Sequence, residues 1–227
     1  MSPSRPPIIA LDLDGTLIDC EKRQVQLMAH ALRSAGNTTA FDEYQFWSLK
    51  RSGANNVSAL RSLSYDEPTV SAATRVWNDL IETPEWLQRD AILPGVLEGL
   101  VRLADLGYQR HLLSARQQPQ NAQQQLQHLG LTGLLDAVSF VSPARASVAK
   151  AEYLQTHPSV LFIGDTESDY AAAQTSGTPF IAVSTGQRSA QYLAQSAIAT
   201  VCASFAEALR LFLQFGSLPR RAGEGGG

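Results

Sequence analysis

Ile8-Ile9-Ala10-Leu11-Asp12-Leu13-Asp14-Gly15-Thr16-Leu17 is the stretch on which the fold turns. A short apolar run rich in branched residues reads as a buried strand. It gives way to two carboxylates two residues apart, then a glycine and a hydroxyl residue. Acids at the end of a buried strand are desolvated and repel one another unless something cationic offsets them. A bound divalent cation fits, because hard oxygen ligands suit Mg2+; the alternative is a solvated acidic strand end. Side chains at i and i+2 of a strand share a side, so Asp12 and Asp14 are expected to face one pocket if the extended geometry persists. Aspartate also serves as a nucleophile, forming an aspartyl-phosphate that water hydrolyses. One acid of such a pair can attack phosphorus while the other protonates the leaving oxygen. Gly15 permits a turn and a close approach of backbone to a ligand, with N–H groups that can cradle phosphate oxygens.

The pattern recurs downstream. Val160-Leu161-Phe162-Ile163 is followed by Gly164-Asp165-Thr166-Glu167-Ser168-Asp169, again placing carboxylates at a strand's carboxyl end. Tyr170-Ala171-Ala172-Ala173 favours a helix, whose first turn holds Asp169 back near the loop. Helix capping by Ser168 or an acid accounts for one of these acids and does not require Asp165 as well. Asp12 and Asp165 together read as a magnesium site. Ser114 ends the apolar segment His111-Leu112-Leu113, where a hydroxyl either donates to a phosphoryl oxygen or simply occupies a strand-to-helix turn. Arg116 and Gln117 lie just beyond, as substrate-binding groups or as a solvated loop. Lys150 falls early in a helical stretch, where cations are mildly disfavoured. As a point charge it would neutralise nucleophile and phosphate. Most lysines are surface groups, however, and Arg145 is its rival for the role.

Further strands are expected at 109–113, 137–141, 180–183 and 199–202, alternating with helical patterns such as Val96, Leu97, Leu100, Val101 and Leu103 before Gly107. Such alternation argues for an α/β fold, a parallel sheet covered on both faces, with ligands at the carboxyl ends of its strands. Residues 18–92 read differently. A stripe through Val25, Met28, Ala31 and Leu32, then segments around 44–50, 56–63 and 69–81, are helical, and no strand is evident there. This predicts a helical insertion that returns near Ile92-Leu93-Pro94-Gly95. The expected organisation is a core of 1–17 and 93–219, an insertion of 18–92, and a flexible glycine-rich tail of 220–227. Within the insertion, Lys50-Arg51-Ser52-Gly53-Ala54-Asn55-Asn56 is either a loop that meets an anionic substrate or a turn between helices.

With 227 residues, 44% of them hydrophobic and 17% charged, the chain can bury a sizeable core. The net charge of −3 and the lack of a basic stripe argue against nucleic-acid binding. Two cysteines far apart, Cys20 and Cys202, and four scattered histidines suggest neither a disulfide framework nor a thiolate metal site. No run approaches transmembrane length, and Met1 to Pro7 lacks the apolar stretch of a signal peptide. A cytoplasmic setting without membrane association is expected.

Asp12-Leu13-Asp14-Gly15-Thr16 resembles the first motif of the haloacid-dehalogenase superfamily of phosphohydrolases. Ser114, Lys150 and Gly164-Asp165-x-x-x-Asp169 follow in the order of that superfamily's second, third and fourth motifs, so the resemblance spans about Ile8 to Val183. It implies a Rossmann-like three-layer core with a helical cap after the first motif, in the manner of the phosphoglycolate-phosphatase-like group. The implied activity is Mg2+-dependent hydrolysis of a small phosphorylated metabolite by a monomer or homodimer. The family's mechanism would make Asp12 the nucleophile and Asp14 the acid and base. Mg2+ would be held by Asp12, the Asp14 backbone carbonyl and Asp165, with Asp169 in support. Ser114, Lys150, Gly15 and Arg116 would bind the phosphoryl group. Asp14 argues against the dehalogenases, which lack the second acid. The rival readings are a sugar-phosphate mutase of the same superfamily, a catalytically silent phosphate- or partner-binding relative, and a signalling receiver. A receiver is shorter and phosphorylated after a later strand.

Overall fold

Strand β1 (Ile8–Leu11) runs down the middle of a six-stranded sheet, and its last three residues are fully buried, as a strand covered on both faces requires. The computed structural model describes residues 6–215. In chain order, β1 is followed by β2 (Ile18–Asp19) and the helices α1 (Glu21–Ser34), α2 (Glu43–Arg51), α3 (Asn56–Ser62), α4 (Glu67–Leu80) and α5 (Pro84–Leu87). Then come β3 (Ala91–Ile92), α6 (Val96–Asp105), β4 (Gln109–Ala115), α7 (Pro119–His128), β5 (Ala137–Val141) and α8 (Ala146–Thr156). The chain continues through β6 (Ser159–Gly164), α9 (Glu167–Ser176), β7 (Phe180–Val183), α10 (Ala190–Gln195), β8 (Val201–Cys202) and α11 (Phe205–Phe215).

The sheet order is β5-β4-β1-β6-β7-β8, with every neighbouring pair parallel. Alternation along β1 divides the core. Ile9 and Leu11 pack with Leu100 of α6 and with Phe205 and Phe212 of α11. Ala10 points the other way, to Leu154 of α8 and Ala172 of α9. This is the three-layer α/β architecture that the strand–helix alternation predicted. The chain builds outward from β1 through β4 to β5, then returns to β1's other side with β6. The crevice between β1 and β6 is therefore a topological switch point, the usual ligand site of an open α/β sheet.

Residues between β2 and β3 are helical as expected and hold a core of their own around Met28, Leu32, Phe46, Trp47 and Leu60. Two expectations need correcting. β2 and β3 form an antiparallel ribbon, Ile18 opposite Ile92 and Asp19 opposite Ala91, where the sequence reading found no strand. Two-residue strands are too short to display a period. The late strand expected at 199–202 shrinks to Val201–Cys202. The tail at 220–227 lies outside the described residues.

Candidate active site

Extended geometry stops at Leu11. The next residues wind into a turn in which the N–H groups of Leu17 and Ile18 both donate to the Leu13 carbonyl. The parity of β1 carries Asp12 to the same side as Ala10, toward α8 and α9. On α8, Lys150, Ala151 and Leu154 form the inward face, so Lys150 is pulled to the sheet by the same stripe that anchors its helix. Its Nζ donates to Asp12 Oδ1 at 2.6 Å and to Asp169 Oδ1 at 2.5 Å. Arg145, its rival in the sequence, is exposed and pairs with Glu152.

Asp169 is fixed from below. Thr166 caps α9, accepting from the Asp169 N–H and donating through Oγ1 to Asp169 Oδ2 at 2.6 Å. The cap is thus Thr166, where the sequence pointed to Ser168 or an acid. Asp165 accepts a 2.7 Å bond from the Gln187 N–H. Asp12, Asp165 and Asp169 are all buried, and one carboxylate oxygen of each lies within 4.8 Å of the others. Burial, then the neighbouring Asp12 and Asp169 carboxylates, push Asp165 well above the usual carboxylate range. Burial also raises Asp12, to about 6, against the opposing pull of Lys150. The Lys150 ammonium is desolvated too, yet its two carboxylates outweigh that and hold it above the ordinary lysine range.

Asp14 has other partners. Arg116 donates to both of its oxygens, at 2.5 and 2.8 Å, and Arg23 Nη2 donates at 2.8 Å. Burial opposes ionisation of Asp14, but the two guanidiniums overcome it and hold the carboxyl well below its usual range. Asp12 and Asp14 therefore share an electrostatic neighbourhood while their carboxylates make separate contacts, and the Asp14 carboxylate is not part of the cluster of three. Arg116 is buried and paired with Asp14, and is not a solvated loop arginine. Ser114 is buried at the carboxyl edge of β4, the strand whose Leu112 sits beside Leu11. Gly15 adopts φ +71°, and a Cβ there would lie 2.3 Å from Asp165 Oδ2.

Arg23, Gly186 and Gln187 escaped the sequence reading. Arg23 is fully buried one helical turn before Leu27, where a charge interrupts the apolar pattern of α1 and so gave no signal. Gly186 and Gln187 follow β7 at its carboxyl end, the same position that singled out Asp12 and Asp165.

Residues 6–177 match the family model of the haloacid dehalogenase-like hydrolases. The chain belongs to this family. Among curated relatives, a phosphoglycolate phosphatase of Rhodobacter capsulatus is 27% identical over 190 residues, covering 80% of this chain and 86% of that protein. One from Mesorhizobium japonicum is also 27% identical, over 192 residues, with coverages of 79% and 83%. Among solved structures, a haloacid dehalogenase-like family hydrolase from Streptococcus pneumoniae superposes with a TM-score of 0.73 at 19% identity, covering 91% of this chain and 98% of that one. That likeness confirms the α/β core. No helix among the described residues is long and apolar enough to cross a membrane.

Proposed function

We propose that this family member is a Mg2+-dependent phosphatase acting on a small phosphorylated metabolite through an aspartyl-phosphate on Asp12. The observation that carries the reading is the Asp12 carboxylate, buried at the switch point with Lys150 Nζ at 2.6 Å and two further carboxylates alongside. The names of the curated relatives support the same reaction class. Three buried carboxylates facing one ammonium leave an excess of negative charge when ionised, and burial, with the neighbouring carboxylates adding to it, makes two of the three resist ionisation. Hard oxygen donors with such an excess fit a small divalent cation. Asp12, Asp165 and Asp169 would hold Mg2+, joined by the Asp14 backbone carbonyl, and the ion would supply charge neutralisation for a phosphoryl group.

The chain's own residues do the rest. Asp12 attacks phosphorus as the bond to the leaving oxygen breaks. Lys150 and Ser114 bind the equatorial oxygens, with Gly15 N–H and Arg116 nearby. Asp14 gives the leaving oxygen a proton and later takes one from the water that hydrolyses the acyl phosphate. Asp14 accepts that proton only when its arginine clamp loosens. One arm of that clamp, Arg23, belongs to α1 and so ties Asp14 to the helical insertion. We accordingly read 18–92 as a cap over a core formed by 1–17 and 93–219, closing to exclude water.

Phosphate release from a panel of phosphorylated metabolites, with Mg2+ or a chelator, tests this. Release that needs Mg2+ and vanishes in a folded Asp12→Asn variant is the expected outcome. Undiminished release by that variant would remove Asp12 as nucleophile. Turnover that appears only with a bisphosphate activator would instead identify a mutase.

A further inference from the structure

Four cationic side chains are buried among the described residues: Arg23, Lys50, Arg116 and Lys150. Lys150 is committed to Asp12 and Asp169, and Arg116 to Asp14. Lys50 donates to Asn56 Oδ1, and burial, with the Arg188 guanidinium adding to it, lowers it to about 8. Arg23 is divided between an acid of the site and an acid outside it. Its Nη2 donates to Asp14 Oδ1 at 2.8 Å and its Nε to Asp90 Oδ1 at 2.9 Å, while Nη1 donates to the Ile81 carbonyl at 3.2 Å.

Asp90 has no part in the acid cluster, yet its side chain is fully buried. It immediately precedes β3, where the chain leaves the helical insertion, and Arg23 sits in the first turn of α1, where the chain enters it. Burial raises the Asp90 carboxyl to about 6 and the Arg23 guanidinium pulls against that rise, so at neutral pH Asp90 is still a carboxylate. Gln125 of α7 fixes it from the other side, donating to Asp90 Oδ2 at 2.6 Å. A buried ion pair adds little stability over a well-packed apolar pair, so the placing of this one beside Asp14 calls for another role.

The donors around Asp14 define that role. A carboxylate offers about four acceptor positions. Arg116 fills one on each oxygen and Arg23 a second on Oδ1, which among the described residues leaves the second position of Oδ2. A proton passed to the leaving oxygen, or taken from water, needs that position. A guanidinium favours a two-pronged grip on a carboxylate, and Arg23 could turn such a grip onto Asp14 if its Nε were released. Asp90 holds that nitrogen.

We propose that Asp90 is a positioning residue for the reaction: through Arg23 it limits the hold on Asp14 to one bond, and so keeps one acceptor position of Asp14 open toward the substrate. This rests on the phosphatase reading, in which Asp14 is the acid and base.

The test compares kcat/KM for 4-nitrophenyl phosphate and 4-nitrobenzyl phosphate, with Mg2+. The two esters differ by one methylene, but the phenol leaves as a stable anion whereas the alcohol leaves only with a proton. Asp14→Asn is expected to lower the benzyl-to-phenyl ratio by about a hundredfold or more. Asp90→Leu, which frees Arg23 Nε, is expected to lower it by at least about tenfold. In an Arg23→Met background, adding Asp90→Leu leaves the ratio where Arg23→Met puts it; this double variant replaces the pair by apolar groups. Equal losses on both esters in Asp90→Leu, as a disturbed fold would give, overturn the proposal, as does an unchanged ratio. A further drop on adding Asp90→Leu to Arg23→Met overturns it too, and that comparison stands even where Asp90→Leu alone does not fold. A crystal structure of Asp90→Leu needs no turnover: it is expected to show two Arg23 donors on Asp14, and an Arg23 left in place overturns the proposal. An unchanged ratio in Asp14→Asn would sink the acid–base reading beneath it, whereas a lowered ratio there with an unchanged one in Asp90→Leu sinks this proposal alone.

Discussion

Lys150, with Asp12 and Asp169 at 2.6 and 2.5 Å, shows what the acid cluster lacks: one ammonium for three buried carboxylates. Asp165 bears the surplus, since it meets no cation and accepts from a backbone N–H, that of Gln187, among the described residues. Asp165→Asn keeps an acceptor for Gln187 and removes the repulsion. In chelator at pH 7 the variant should melt higher than the wild type, by roughly 2–4 °C for each kcal/mol relieved in a chain of this size. It should also lose the stabilisation that Mg2+ gives the wild type. Melting curves with and without Mg2+ check both, and a variant that still responds fully to the ion would put Asp165 outside the metal set. Lys50 gives a second prediction, with the opposite pH sense from most lysines. Its folded value near 8 lies below the unfolded 10.5, so between those pH values the unfolded chain binds the extra proton. Stability therefore rises with pH across that window. The penalty, full below pH 8, is about 3 kcal/mol. Chemical denaturation at pH 7 and 10 should show the wild type gaining on Lys50→Met. A constant difference between the two would mean that the ammonium is not desolvated.

At the scale of elements, the acid cluster depends on two loops meeting behind Asp165. Gly15, after β1, and Gly186, after β7, face each other so closely that a Cβ on Gly186 would lie 2.0 Å from Asp165 Oδ2 and 2.5 Å from Gly15 Cα. Gly186→Ala must displace backbone, so it should cost about 1–3 kcal/mol as overpacking does. By moving Asp165 it should also cut phosphate release by about a hundredfold or more. Gly36→Ala is the contrast. Gly36 has φ +85° and open space around it, so the strain costs about 1–2 kcal/mol while release stays near wild type. Comparable activity losses in both would mean that the Gly15–Gly186 contact has no special bearing on the site. These loops also mark the limit of what the sequence disclosed. β1, β6 and β7 were legible because strands buried on both faces are unbroken apolar runs, and the acids after β1 and β6 stand out against them. Gly186 carried no such contrast, for its role lies in a contact with Gly15, in a loop far away in the sequence. Arg23 was hidden differently: a charge on an apolar stripe reads as a break in the pattern until its partners, Asp14 and Asp90, are in place. The sequence reading put the cap of α9 on Ser168 or an acid, and the backbone puts it on Thr166.

At the scale of the whole molecule, two cores are joined along two seams. On one side, Glu82 accepts from the N–H groups of Gln117 and Gln118 at the start of α7, and Arg23 meets Asp90, which also takes a bond from Gln125. These groups flank the β2–β3 ribbon, where the chain enters and leaves the insertion, so they resemble the fixed side of a hinge. On the other side, the end of α2 rests on 184–192 through Arg51, and Gly53 lies against the Tyr192 ring. Here Arg51 donates to two carbonyls and its own carbonyl accepts from the Ser189 N–H, while Arg188, held by Glu167, donates to the Lys50 carbonyl. If 18–92 is a cap, this is the seam that parts, and Arg51 sets how readily. Arg51→Ala should speed amide exchange in α2 and α3 while leaving β1, β4 and β6 protected. It should also raise KM severalfold by depopulating the closed form. Exchange that quickens equally in the sheet would show the two cores unfolding as one unit, and unchanged exchange in α2 would make the α10 side of the seam, Gly53 against Tyr192, the contact that holds it shut.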